Sequence, residues 1–166
     1  LTAGTSRAAV TFAGQGVEVF DELATLIESS PTARALVVQV SEVTRRWPNV
    51  VDFARAGAFD QGFDPWLWAS TPAARPERAY LASSPVSQPA ILLCQAARWA
   101  SCLDLGLRAA VASGGIVAAT GHSQGIMAAV LAAETGAGAV SPDRVVEMLE
   151  WMAWQGVHMA ASYRRL

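Results

Sequence analysis

Ser123, with a glycine two residues away on each side, is the residue of this chain best suited to covalent chemistry. It stands in Thr120-Gly121-His122-Ser123-Gln124-Gly125-Ile126, a G-x-S-x-G pattern. A serine hydroxyl is a weak nucleophile until it is activated, and a turn sharp enough to expose Oγ supplies the required geometry. The glycines answer to that sharpness, because a Cβ at either position would collide across the turn. The backbone N–H of Gln124 would then point to where an oxyanion develops, and a helix starting there favours the same negative charge. Ala13-Gly14-Gln15-Gly16 offers a second close approach of backbone. By itself this stretch reads as a tight turn; beside a nucleophile elbow, Gln15 N–H as a second oxyanion donor stands on equal terms.

A G-x-S-x-G also arises by chance in alanine-rich chains, so the flanking elements decide. Residues 115–119 form a short apolar run with β-branched members, which predicts a buried strand. Ile126, Ala129, Val130 and Ala133 then recur at helical spacing and predict the inward face of a helix. Near the start, 8–12 reads as a strand entering a glycine-flanked turn, the first βα unit of an α/β fold. Between these units the pattern predicts a helix over 21–29 and another opened by Ser30-Pro31, carrying Leu36, Val37, Val40 and Val43. A poorly patterned stretch over 49–62 and a short helix capped by Asp64 follow. Pro85 and Pro89 punctuate the start of a long helix, whose stripe is Leu92, Ala96, Trp99 and Leu103 and whose end is Leu105-Gly106. A last helix starts at Ser141-Pro142-Asp143 and buries Val145, Val146, Leu149 and Met152.

Composition narrows the classes of function. With 166 residues, 52% of them apolar, the chain is one domain or one subdomain with a real core. A net charge of -2 without a basic stripe or acidic tail argues against nucleic acid and anionic membranes as partners. No apolar run of membrane-spanning length and no signal-peptide architecture are read from the sequence, so the cytoplasm is the expected location. Cys94 and Cys102 fall in one predicted helix more than two turns apart, unsuited to a disulfide or a zinc site. They read as small core residues of a reducing compartment, and no metal is expected. The chain starts on Leu1, which suggests a piece of a longer polypeptide.

Four landmarks stand in one order: Phe12-Ala13-Gly14-Gln15-Gly16, Ser84-Pro85-Val86-Ser87-Gln88-Pro89-Ala90-Ile91, Gly121-His122-Ser123-Gln124-Gly125 and Trp154-Gln155-Gly156. Together they resemble the acyltransferase (malonyl/acetyl transferase) family of fatty-acid and polyketide synthases. Phe59-Asp60-Gln61-Gly62-Phe63-Asp64-Pro65-Trp66-Leu67 narrows the likeness to the acetyltransferase domain of fungal and actinobacterial type I fatty acid synthases. The resemblance implies an α/β-hydrolase-like subdomain with a doubly wound, mostly parallel sheet over residues 1–166. It also implies ping-pong transfer of an acyl group from coenzyme A, through an acyl-serine, to the phosphopantetheine thiol of an acyl carrier protein. Ser123 would be the nucleophile, and Gln15 and Gln124 the oxyanion donors. Acyl-CoA, the carrier protein and other domains of a large homo-oligomeric synthase would be its partners, with no tightly bound cofactor.

Two departures from the family pattern shape the expectation. Malonyl-transferring relatives carry an arginine where Gln155 stands here, to clamp a carboxylate that would otherwise be buried unpaired. Gln155 therefore points to an uncharged acyl group, acetyl first. The family's general base is a histidine well downstream of the serine, past a ferredoxin-like subdomain, and this chain stops at Leu166. Truncation before that subdomain is the simplest account. Of the histidines present, His122 is expected to hydrogen-bond the turn, and His158 to be partly buried near Gln155 and to wall the pocket. A malonyl/palmitoyl transferase, a serine thioesterase or hydrolase, and a non-catalytic scaffold domain of a megasynthase are the alternatives.

Overall fold

The computed structural model describes residues 7–14 and 19–163. Strand β1 (Ala8–Phe12) forms where the sequence predicts it, and β2 (Ile116–Gly121) runs two residues further than expected, into the first glycine of the G-x-S-x-G; β2 is half-buried to exposed rather than the buried strand expected. The two strands pair in parallel, Val10 opposite Ala119 and Phe12 opposite Gly121. Among the described residues the sheet holds these two strands. Parallel strands cannot be joined by a hairpin, so the chain crosses between them through helices. These are α1 (Val19–Ser29), α2 (Pro31–Thr44), α3 (Val51–Arg55), α4 (Pro65–Ser70), α5 (Arg78–Leu81), α6 (Ser84–Cys102) and α7 (Arg108–Ala112). After β2 come α8 (Gly125–Thr135) and α9 (Pro142–Tyr163).

Local chemistry sets the helix starts. Ser30 Oγ accepts from the N–H of Ala33 at 3.1 Å, and Asp64 Oδ1 from that of Leu67 at 3.0 Å. Each side chain satisfies a donor that the first helical turn cannot. The centre of the core is α6, which packs against α1, α2, α8 and α9. Its expected stripe of Leu92, Ala96, Trp99 and Leu103 is buried throughout. Cys94 is buried within it, and loss of solvent pushes its thiol well above the ordinary range.

Leu105-Gly106 breaks the long helix as the sequence predicts. Gly106 takes φ +109°, outside helical geometry, in a π-type turn over Leu103–Leu107, and α7 follows beyond the kink. The resulting stretch Ser84–Ala112 is long and apolar enough to cross a membrane by length and composition, and 61% of its most apolar window is buried inside the protein. The face of α8 differs from the expected one. Ala128, Ala129, Leu131 and Ala132 point inward, whereas Ile126, Val130 and Ala133 are exposed. An almost wholly apolar helix has no strong periodicity to read, so packing chose the face. The weakly patterned 49–62 region proves to be part of the core: Trp47 gathers Phe53, Phe59 and Phe63 at 5.1–5.5 Å, and Phe53 stacks on Trp154 of α9 at 4.6 Å.

Candidate active site

The G-x-S-x-G stretch makes the strand-to-helix elbow its composition demands. β2 ends at Gly121, α8 begins at Gly125, and Ser123 between them adopts φ +54°. A non-glycine residue in that region carries roughly 1–3 kcal/mol of strain, held by the surrounding contacts. Both glycines are enforced. A Cβ on Gly121 would lie 2.0 Å from the Gly125 carbonyl carbon, and one on Gly125 would lie 2.2 Å from the Phe12 carbonyl oxygen. The N–H of His122 donates to Phe12 O at 3.1 Å, tying the elbow to the end of β1. On the far side of the turn, Gly125, Ile126 and Met127 donate their N–H groups to the carbonyls of His122, Ser123 and Gln124. The N–H groups of Ser123 and Gln124 donate to no described residue. That of Gln124, the residue after the serine, is free to meet developing negative charge.

The stretch after β1 lies against this turn. A Cβ on Gly14 would stand 3.1 Å from His122 O and 3.3 Å from Ser123 Cβ, so any side chain there would push the two segments apart by a few tenths of an ångström. Gln95 Nε2, from α6, holds the same segment by donating to Ala13 O at 2.5 Å. Beside Ser123 opens a cavity of about 410 Å³. Gln88 of α6 forms one wall, Gln124 with Ile126 and Met127 a second, and Trp151, Met152, Gln155 and Met159 of α9 a third. No described lining residue carries a charge. The crossing of α6 and α9 fixes the walls, because Gly156 packs so tightly that a Cβ there would lie 2.4 Å from Ser84 O. This contact explains why the first and last landmarks of the cavity wall, Ser84-Pro85 and Gln155-Gly156, occur together.

No family model matches the sequence. Fatty acid synthase beta subunit TOXC of Cochliobolus carbonum is 33% identical over 151 residues, covering 89% of this chain and 7% of that protein. Fatty acid synthase beta subunit aflB of Emericella nidulans is 30% identical over 155 residues, 92% of this chain and 7% of the relative. Fatty acid synthase subunit beta of Schizosaccharomyces pombe is 30% identical over 160 residues, 95% of this chain and 8% of the relative. This chain is related to a segment of fungal fatty acid synthase beta subunits. It spans less than a tenth of the length of these curated relatives.

Within this synthase-related segment the remaining expected site residues fall into two groups. Ser123, Gln124 and Gln155 line the same cavity. Gln15 lies outside the described residues. His122 is exposed and lies against Gly14, and its imidazole makes no hydrogen bond with a described residue. His158 is exposed rather than partly buried. It is also off the cavity wall, its ring 6.2 Å from that of Trp154, one turn back on α9. Among the described residues no group of three or more His, Cys, Asp or Glu could hold a metal ion. Sequence reading assigned no role to Gln88, Trp151 or Met159. A glutamine between Ser87 and Pro89 on the buried side of an apolar helix was the available signal for Gln88.

Proposed function

We propose that this chain is part of an acyltransferase domain that moves an acetyl group from acetyl-CoA to the phosphopantetheine thiol of an acyl carrier protein. The observation that carries this reading is Ser123 at positive φ on a strand-to-helix elbow, opening on a cavity with no described charge. Kinship to a segment of fungal fatty acid synthase beta subunits supports the synthase context. In this reading Ser123 Oγ attacks the thioester carbonyl, a C–O bond forms and the C–S bond breaks, and the CoA thiol leaves. The carrier thiol then attacks the acyl-serine and the serine is regenerated. Gln124 N–H, with Gln15 N–H as its partner, stabilises each tetrahedral oxyanion. The proton from Oγ needs a base, and neither exposed histidine of the chain faces the cavity, so the base comes from elsewhere in the polypeptide. The reaction uses CoA and phosphopantetheine as substrates and no resident cofactor.

The parallel pair β1–β2 with helices around it fits the start of a hydrolase-like, doubly wound sheet, to which further strands would add. An uncharged cavity disfavours malonyl, whose carboxylate would be buried without a cation. The test is mass spectrometry of the full-length polypeptide after brief exposure to acetyl-CoA or malonyl-CoA, with Ser123→Ala as control. An acetyl adduct lost in the variant, with little malonyl adduct, is the expected result. Dominant malonyl labelling would overturn the acyl-group assignment. Absence of any adduct would overturn acyl transfer and favour a scaffold role.

A further inference from the structure

Beyond Phe12 the chain leaves the parallel ladder, and Ala13 and Gly14 have little of their own to hold them. Ala13 is exposed, Gly14 has no side chain, and neither makes a backbone hydrogen bond to a described residue. They nevertheless lie hard against the elbow. A Cβ on Gly14 would meet Ser123 Cβ at 3.3 Å, and one on Gly125 would meet Ala13 O at 2.7 Å. Among the described residues one side chain ties this segment down. Gln95, reaching from the central helix α6, donates from Nε2 to Ala13 O at 2.5 Å. A carbonyl can only accept, so the bond fixes which end of the carboxamide is which. Gln95 Oε1 is left buried, with no partner among the described residues. A methionine would fill the same space without an unpaired oxygen, so packing does not account for a glutamine here.

We propose that Gln95 is a positioning residue for Ser123: by pinning Ala13 and Gly14 to α6, it sets the rate at which the serine is acylated. The proposal rests on the acyl-serine reading above. The peptide joining Ala13 to Gly14 is planar, so a fixed Ala13 carbonyl also fixes the direction of the Gly14 N–H and the path of the chain past Ser123. Loss of the donor has two effects of different size. Water can take its place at the exposed Ala13, so one hydrogen bond is exchanged for another and stability changes little. Water cannot tether the segment to α6, and a displacement of about 1 Å beside a reacting group costs up to about a hundredfold in rate. Acylation is therefore more sensitive to Gln95 than the fold is. Gln95 is not on the cavity wall, so binding of acetyl-CoA is expected to be unchanged.

The test is single-turnover acylation of the full-length polypeptide over a range of acetyl-CoA concentrations, with the Ser123 peptide quantified by mass spectrometry. Gln95→Met and Gln95→Glu remove the donor at nearly constant size, since an ionised carboxylate only accepts. Gln95→Lys keeps a donor. The limiting rate constant is expected to fall about 10- to 100-fold in the Met and Glu variants, at an unchanged half-saturating concentration, and to stay nearer wild type in the Lys variant. An unfolded fraction lowers the amplitude and leaves the rate constant of the reacting molecules untouched. Wild-type rate constants in the Met and Glu variants overturn the proposal. So does an equal fall in all three, which would assign the effect to packing. Should none of the three acylate, Gly14→Ala decides, because its methyl pushes the segment off the elbow by a few tenths of an ångström. A lower limiting rate at unchanged half-saturation supports the pin, and a wild-type rate overturns it. No acylation of the wild type is a different failure, that of the acyl-serine reading itself.

Discussion

At Ser123 the backbone is held in a conformation that only its neighbours can maintain. The enforcement comes from contacts with main-chain atoms, which cannot rotate away as a side chain would. Gly125→Ala would place a methyl 2.2 Å from Phe12 O and 2.7 Å from Ala13 O. Overpacking of this kind costs about 1–3 kcal/mol, and a backbone neighbour puts the change at the upper end. The expected outcome is a melting temperature several degrees lower together with loss of Ser123 acylation. A variant with wild-type melting and labelling would refute the tight elbow. Gln95 adds a second lesson at this scale. Residue type can be read from sequence, but which carbonyl a glutamine holds requires its surroundings.

Between elements, the crossing of α6 and α9 builds the cavity, and Gly156 is its closest point. Alanine is the better helix former by about 1 kcal/mol, so Gly156→Ala would stabilise an isolated helix. In the protein the new methyl would meet Ser84 O at 2.4 Å and Pro85 Cα at 2.7 Å. The clash exceeds the propensity gain, and a net loss of about 1–2 kcal/mol is expected as a lower urea midpoint. A raised midpoint would mean that the helices are further apart. The connection from α8 to α9 is clamped differently: Arg144 donates from Nε and Nη2 to the two carboxylate oxygens of Glu134, each at 2.8 Å. These hydrogen bonds hold the Glu134 carboxyl below the usual carboxylate range. Its contribution is therefore present above the unfolded value and is lost as pH falls through the lowered folded one. Glu134→Gln should lower the melting temperature slightly at neutral pH and leave the acid end unchanged, so that the acid limb becomes flatter.

For the molecule as a whole, the alkaline limit has an identifiable contributor. Burial chiefly pushes the Tyr80 phenol up to about 12, and its hydroxyl donates to Gly62 O at 2.6 Å. Because folding favours the neutral phenol, that stability is full below about pH 10 and is lost between about 10 and about 12. Tyr80→Phe should lower stability by about 1 kcal/mol at neutral pH and make the profile flatter across that window. Thermal melts from pH 8 to about 12 would check it, and an unchanged slope would assign the alkaline loss elsewhere. The bond matters for the core because Gly62, at φ +85°, closes the turn that carries Phe59 and Phe63 onto Trp47.

The sequence alone determined what depends on neighbours along the chain. The β1 strand, the Ser30 and Asp64 caps, the stripe of α6 and the glycines of the elbow follow from spacing, propensity and local sterics. So does the strand-turn-helix setting of Ser123. Tertiary structure decided what depends on surfaces meeting. It chose the inward face of α8, where uniform apolarity offered no period, and left His158 exposed, off the cavity. It drew the unpatterned 49–62 region into the aromatic core, because a cluster of rings needs no periodicity in sequence. It also brought Gln88, Gln155 and Ser123 to one cavity from three distant stretches, a convergence that no local pattern encodes.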